Sequence, residues 1–191
     1  MGGADTARLM QAAALAARAH DGQRRKGPAG APYAVHVFDV ARLVAMHTDA
    51  SADAVIAAVL HDTVEDSDTT LDEIQAAFGP AVARIVAGLT DDAATSALPL
   101  AERKARQAQK IAAAPPETRL VKLADQTANL TDLPASGDGW SVGRCRLYIA
   151  GARAVAEACL GLSSALDAAF DAAAARADNW VAARETTETA A

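Results

Sequence analysis

The sequence predicts an all-α fold, one bundle of about eight to ten helices, and three observations carry that expectation. Apolar residues form 51% of the chain while aromatic residues form only 4%, and alanine dominates the apolar set. That composition suits closely packed helices better than strands, which favour β-branched and aromatic side chains. Apolar positions recur at three- and four-residue intervals, and Gly, Pro and capping residues cut the chain into pieces of helical length. The 191 residues suit a single domain with a sizeable core, expected over 1–184, and a Thr-, Glu- and Ala-rich tail, 185–191, expected to be disordered.

Taken in order, Asp5 or Thr6 caps a first helix that runs through Leu9, Ala13, Ala16 and Ala17 to His20. Gly22, Gly27, Pro28 and Gly30 then open a loop carrying Arg24, Arg25 and Lys26. His36 opens a second helix through Val40, Leu43 and Val44, with His47 read as a surface residue at its far end and His20 as structural. A third helix begins near Ser51 and ends in His61-Asp62-Thr63-Val64-Glu65-Asp66. Thr70 and Glu73 form a capping box for a short helix ending at Gly79, and Pro80 suits the first turn of the next, which reaches Leu89. The polar, small-residue segment 91–99 reads as a mobile loop. Along Glu102 to Ile111, the cations Arg103, Lys104, Arg106 and Lys110 read as a solvated helix face. Pro115-Pro116 opens a helix bearing Asp125 and Asn129; Pro134 to Gly139 reads as a turn; Trp140-Ser141 starts a helix bearing Arg144 and Tyr148; Ser163 starts the last.

Bulk properties narrow the function. With 18 basic against 24 acidic residues the formal charge is -6, which argues against general nucleic-acid binding but leaves room for a local basic cluster that holds a small phosphorylated ligand. Cys145 and Cys159 are too few for a disulfide framework and read as small buried hydrophobes. No signal peptide and no apolar window of about 20 residues is present, so a cytoplasmic protein without a membrane partner is expected. Nothing in the sequence fixes the number of subunits.

The stretch with chemistry in it is His61 to Asp66, which closes the core-seeking run from Ala54 to Leu60. On a helix, Glu65 lies one turn from His61 and Asp66 one turn from Asp62, so all four can face one cavity. Adjacent His and Asp offer a nitrogen and an oxygen to one divalent cation, leaving the second pair to hold or deprotonate a water. The competing reading is a solvated helix end whose acids run on into Ser67 to Thr70. His36 upstream and Asp125 downstream weigh against it. Single ligands from distant helices, added to a pair from one, are how a helical bundle encloses a cation, and a carboxylate on the buried side of a helix is costly unless it is paired or coordinating.

These residues resemble the HD phosphohydrolase superfamily, whose four metal ligands are matched by His36, His61, Asp62 and Asp125. Ala19 to Lys26, Pro32-Tyr33, His61 to Asp66, Phe78-Gly79, Thr90 to Asp92, Glu102 to Lys104, Lys122 to Asp125 and Gly139 to Ser141 narrow the resemblance to the hydrolase domain of Rel/Spo proteins. Within that group the chain is most similar to the small stand-alone alarmone hydrolases, the metazoan SpoT homologues and their bacterial counterparts, from about residue 6 to about residue 177.

The resemblance implies an HD-type bundle and a metal-dependent guanosine 3′,5′-bis(diphosphate) 3′-pyrophosphohydrolase that cleaves this alarmone of the stringent response to GDP or GTP and pyrophosphate. The N2O2 ligand set suits Mn, Fe, Co or Zn better than Mg, and the family favours Mn2+. In that reading Glu65 orients or deprotonates the attacking water and Asp66 completes the acid pair. Arg25 and Lys26 hold the base and phosphates, Asn129 touches the ribose or a phosphate, Arg144 grips phosphate, and Tyr148 lines the pocket unless it is core. Gln126-Thr127-Ala128 departs from the family, which has a basic residue followed by an apolar and an aromatic or His residue there. That departure leaves adenosine alarmones and the 2′-phosphate of NADPH as alternative substrates. From another class, a binding module that senses alarmone without cleaving it would fit had Glu65 or a ligand been lost; none is.

Overall fold

The computed structural model describes residues 2–27, 30–47 and 49–189; Pro28 of the expected loop and the last two residues of the expected tail lie outside them. Among the described residues eleven helices account for the regular structure: α1 (Gly3–Ala19), α2 (Tyr33–Ala45), α3 (Ala52–Leu60), α4 (Thr63–Asp66), α5 (Leu71–Phe78), α6 (Pro80–Leu89), α7 (Ala93–Ser96), α8 (Leu100–Ala112), α9 (Pro116–Ser136), α10 (Val142–Glu157) and α11 (Ser164–Thr189). Two of them, α4 and α7, are single turns of 4 residues, so the expected all-α bundle of eight to ten substantial helices is what forms. Among the described residues the only β pairing is an isolated bridge between Arg24 and Pro32.

Two helices make the middle of the bundle. In α3 every residue from Ala54 to Leu60 is buried, and α9 buries twelve of its 21 residues, from Thr118 to Leu133. A helix buried all round must be covered all round. Accordingly α9 packs against α2, α3, α6, α10 and α11, and α3 against α1, α2 and α6. Local signals set most of the ends. Ser51 caps α3 by accepting the Ala54 N–H at 3.1 Å. Thr70 and Glu73 form the expected box on α5, Pro80 occupies the first turn of α6, and Ser141 caps α10.

Five local expectations are corrected. The first helix starts at Gly3, and Asp5 serves it from inside by accepting the Gly2 N–H at 3.2 Å. The His61 to Asp66 stretch is a break rather than the end of a continuous helix: Thr63 Oγ1 donates to the Leu60 carbonyl at 2.7 Å, and a new turn, α4, begins there. Segment 91–99 is tied down. Asp92 caps α7 through the Thr95 N–H at 2.7 Å, Gln107 Nε2 donates to Asp91 at 2.6 Å, and Lys110 reaches the Thr90 carbonyl. Pro134 lies inside the last turns of α9 instead of opening a turn. The tail expected to be disordered continues α11 to Thr189, where Arg146 pairs with Glu185.

The loop between α1 and α2 is held by its backbone. Arg25 N–H donates to the Ala31 carbonyl and Tyr33 N–H to the Gln23 carbonyl, each at 2.9 Å. Gly27 has φ +104°, and a Cβ there would stand 2.1 Å from the Ala135 carbonyl oxygen. Only glycine allows that approach, and it docks the basic loop on the C-terminal end of α9.

Candidate active site

Four side chains from separate places in the chain meet where α2, α9 and the α3–α4 break come together. His36 and His61 are each 2% exposed and Asp125 is 5% exposed. His61 Nε2 lies 3.1 Å from Asp62 Oδ2 and 3.8 Å from Asp125 Oδ1; His36 Nε2 lies 3.7 Å and 3.4 Å from the same two oxygens. His36, His61 and Asp62 bring one ligand atom each within 4.8 Å of one another.

The arrangement fits a cation on two counts. Ligand atoms about 2.0–2.2 Å from one tetrahedral ion stand about 3.3–3.6 Å apart, and the separations here, from 3.1 to 3.8 Å, bracket that range. The imidazole of His61 is also set for it: Nδ1 faces the Ala58 carbonyl at 2.8 Å and so carries the proton, leaving the Nε2 lone pair, buried and without a hydrogen-bond partner, pointed at the carboxylates. A nitrogen lone pair among carboxylate oxygens is repulsive unless a positive charge stands between them. A proton can supply that charge too: burial would lower the His61 pKa, but the Asp62 and Asp125 carboxylates outweigh it and hold it up to about 9. Burial would raise both carboxylates. Instead the imidazoles beside Asp62, and Lys122 Nζ at 3.0 Å from Asp125 together with the imidazoles, keep them well below the usual carboxylate range.

The cluster is braced from outside. Tyr33 donates its hydroxyl to Asp62 Oδ2 at 2.7 Å; burial and that carboxylate raise its pKa, so it remains a donor. Its ring lies between those of His20, tilted at 4.8 Å, and His36, edge-on at 5.5 Å. Gln126 Nε2 donates to Asp125 Oδ2 at 2.9 Å, and Asn129 Nδ2 to Asp125 Oδ1.

Beside the cluster opens a cleft of about 520 Å³ lined by Arg24, Arg25, Lys26, Arg103, Lys104, Lys122 and Arg144, against four carboxylates: Asp62, Glu65, Asp66 and Asp125. Seven cations against four acids leave an excess positive charge inside a protein of net negative charge, which suits a polyanionic ligand. Glu65 and Asp66 stand on its wall. One Glu65 oxygen accepts the Asp91 N–H at 3.0 Å, while the other takes no hydrogen bond among the described residues. Partial burial raises both pKa values, with the Asp62 charge adding to each, against the Asp91 N–H for Glu65 and Tyr33 for Asp66. A carboxyl raised in this way is a stronger base.

All eleven side chains singled out from the sequence line this cleft or its metal-type cluster. Arg25 is fixed by Asn129 Oδ1 at 2.8 Å and Asp132 at 3.2 Å, over the Tyr33 ring. Arg144 stacks 4.4 Å from the Trp140 ring centroid, and Tyr148 is half-buried with its hydroxyl unpartnered among the described residues. His20 is structural, its Nδ1 2.9 Å from Gln23, and His47 lies at the far end of α2.

Three residues of the site are not evident from the sequence. Tyr33 carries only a resemblance there, and Gln126 stands out only as a departure. Lys104, expected on a solvated face, is 6% exposed and has its Nζ 2.8 Å from Gln126 Oε1. A signal for it is present: Leu100, Lys104, Ala108 and Ile111 form the i, i+4, i+8, i+11 stripe by which α8 faces the bundle.

Comparison with known proteins agrees with this geometry. The family model described as HD domain matches residues 12–140. The human guanosine-3′,5′-bis(diphosphate) 3′-pyrophosphohydrolase MESH1 is 44% identical over 171 residues, 88% of this chain and 93% of that protein. The enzyme bearing the same activity name in Vibrio cholerae is 37% identical over 134 residues, 66% of this chain and 18% of that longer protein. A solved structure titled as a metazoan ortholog of SpoT that hydrolyzes ppGpp superposes with a TM-score of 0.79 at 34% identity, covering 87% of this chain and 93% of that one. The chain thus belongs to the HD domain family and is a hydrolase similar to the metazoan SpoT orthologues.

Proposed function

We propose that the protein is a Mn2+-dependent guanosine 3′,5′-bis(diphosphate) 3′-pyrophosphohydrolase. The observation that carries this reading is the opening of the His36, His61, Asp62 and Asp125 cluster, with Glu65 and Asp66 beside it, onto a cleft rich in Lys and Arg. The relatives of matching length bear this activity in their names.

A divalent cation on those four side chains supplies Lewis-acid polarisation of a phosphate oxygen and makes a water more acidic. Glu65, whose unengaged oxygen faces the cleft, takes that proton as the water oxygen adds to the phosphorus attached to the ribose 3′-oxygen. The P–O3′ bond breaks and the 3′-oxygen gains a proton, so pyrophosphate and GDP or GTP are released with no net proton left on Glu65. Arg25, Lys26 and Arg144 offer charge to the phosphates, with Arg giving paired N–H donors and Lys a point charge. Arg25 also presents its guanidinium face beside Asn129 for the nucleoside.

Incubation of the purified protein with Mn2+ and ppGpp should release pyrophosphate and GDP in equal amounts. Absence of turnover across several added divalent metals would overturn the assignment. The departure at Gln126-Thr127-Ala128 makes a parallel assay with ppApp and NADPH the test of base preference.

A further inference from the structure

Lys104 is a buried cation on which the buried carboxylates of Asp125 and Asp91 act only through space. Among the described residues its Nζ makes no ion pair, although a desolvated ammonium is costly to leave unpaired. An ammonium carries three donors, and Gln126 Oε1 takes one at 2.8 Å. The remaining two are left for the cleft that Lys104 lines.

Its placement is built from three sides. A Cβ on Gly151 of α10 would stand 2.6 Å from Lys104 Cγ and 2.9 Å from its Cβ, so the absence of a side chain there is what lets the stem lie flat between α8 and α10. The Tyr148 ring centroid lies 5.2 Å from Nζ. Gln126, 1% exposed, accepts from Lys104 through Oε1 and donates through Nε2 to Asp125 Oδ2 at 2.9 Å. A neutral amide is the side chain for that post: it has an acceptor for the ammonium and a donor for the carboxylate, where an acid would repel Asp125 and a base would repel Lys104.

We propose that Gln126 is a positioning residue that ties Lys104 to the Asp125 side of the cleft, where its ammonium binds a phosphate oxygen of the scissile 3′-diphosphate. The assignment of that phosphate rests on the 3′-pyrophosphohydrolase reading; the tie between Gln126 and Lys104 does not. Lys104 acts on the anion directly, and Gln126 acts through Lys104.

The test compares Lys104→Met, Gln126→Leu and the double variant with wild type, all loaded with Mn2+. A charge-assisted hydrogen bond to phosphate predicts a loss of about tenfold or more in kcat/KM for ppGpp in each single variant, and about fivefold weaker binding of inorganic phosphate in a thermal-shift titration. The double variant should be no worse than the poorer single one. Gln126→Leu should remain saturable with Mn2+, because Lys122 and Asn129 still hold Asp125. Additive losses, unchanged phosphate binding in either single variant, or a defect in Gln126→Leu confined to Mn2+ affinity would overturn the proposal. If Gln126→Leu does not fold, Gly151→Ala replaces it: its methyl displaces the Lys104 stem and should weaken phosphate binding equally, and wild-type binding would count against the idea. A wild-type protein that hydrolyses no ppGpp would sink the function instead, and the phosphate titrations would still decide the roles of Lys104 and Gln126.

Discussion

The two walls of the cleft are held in different ways. Behind the ligand wall stands the core: Val37 and Val40 flank His36, Leu60 precedes His61, and Leu123 and Ala124 precede Asp125, all at 0% exposure. The facing wall is held by side chains holding side chains, with Arg25 on Asn129 and Asp132, Arg144 on Trp140, and Lys104 on Gln126 and Tyr148. A ligand on the first wall cannot shift without disturbing a close-packed interior. The exposed Arg144 on the second can move at the cost of a ring contact, and Arg25 at the cost of hydrogen bonds; Lys104 alone on this wall has a packed stem. The chemistry is therefore rigid in this molecule, and recognition is adjustable.

The sharpest way to break that comparison is at the junction of the walls. Glu65→Ala removes the proposed base and should lower turnover of ppGpp by about 10²–10⁴-fold. Bound Mn2+ should be unchanged and stability should fall by no more than about 1 kcal/mol, since the one hydrogen bond lost among the described residues is that from the Asp91 N–H. Residual activity within tenfold of wild type would assign the base elsewhere, with Asp66 next in line.

Truncation on each wall measures the difference directly. Leu123→Ala, beside the proposed ligand Asp125 and fully buried, should cost about 2–5 kcal/mol in denaturant unfolding. Arg144→Ala, exposed on the cleft, should cost under about 1 kcal/mol while raising the KM for ppGpp. Equal losses of stability would mean that the recognition wall is as much a part of the core as the ligand wall.

The same contrast explains what could be read from the sequence. That His36, His61, Asp62 and Asp125 would meet was legible because the proposed metal site constrains residue type, and because a carboxylate on the buried face of α9 must be paired or coordinating to be tolerated there. The ends of α3, α5, α6 and α10 were legible because Ser51, Thr70, Pro80 and Ser141 act through bonds only a few residues long. The order in segment 91–99 was legible only in its Asp92 cap; its anchoring was not, since it comes from Glu65, Gln107 and Lys110, two of them from another helix and one from 26 residues upstream. Nor was the place of Lys104, for a basic residue on the apolar stripe of α8 is tolerated only because α10 supplies a glycine and α9 an amide at that height. Neither partner is near Lys104 in sequence. α9 runs on through Pro134 for a similar reason: packing against α11 carries the last turns past a residue that breaks helices by itself.

The smallest expected effect is also the most specific to the adjustable wall. Burial, with Lys122 adding repulsion, pushes Lys104 down to about 8. Its charge is therefore present below that pH and lost above it, whereas a lysine in water keeps its charge to about 10.4. Affinity for inorganic phosphate should fall by up to about fivefold between pH 7 and pH 9 in wild type relative to Lys104→Met, the whole contribution of the ammonium, because only about a tenth of Lys104 is charged one unit above its pKa. Stability should move the other way. The unfolded chain holds this proton up to about 10.4, so the ligand-free fold is penalised below pH 8 and relieved as pH rises from 8 toward 10.4. Taking both measurements as the difference between wild type and Lys104→Met removes the titration of His61 and of phosphate itself. A ratio that stays flat across this range would mean that Lys104 is held charged by something other than the contacts of the cleft wall, and that this wall is as fixed as the one opposite.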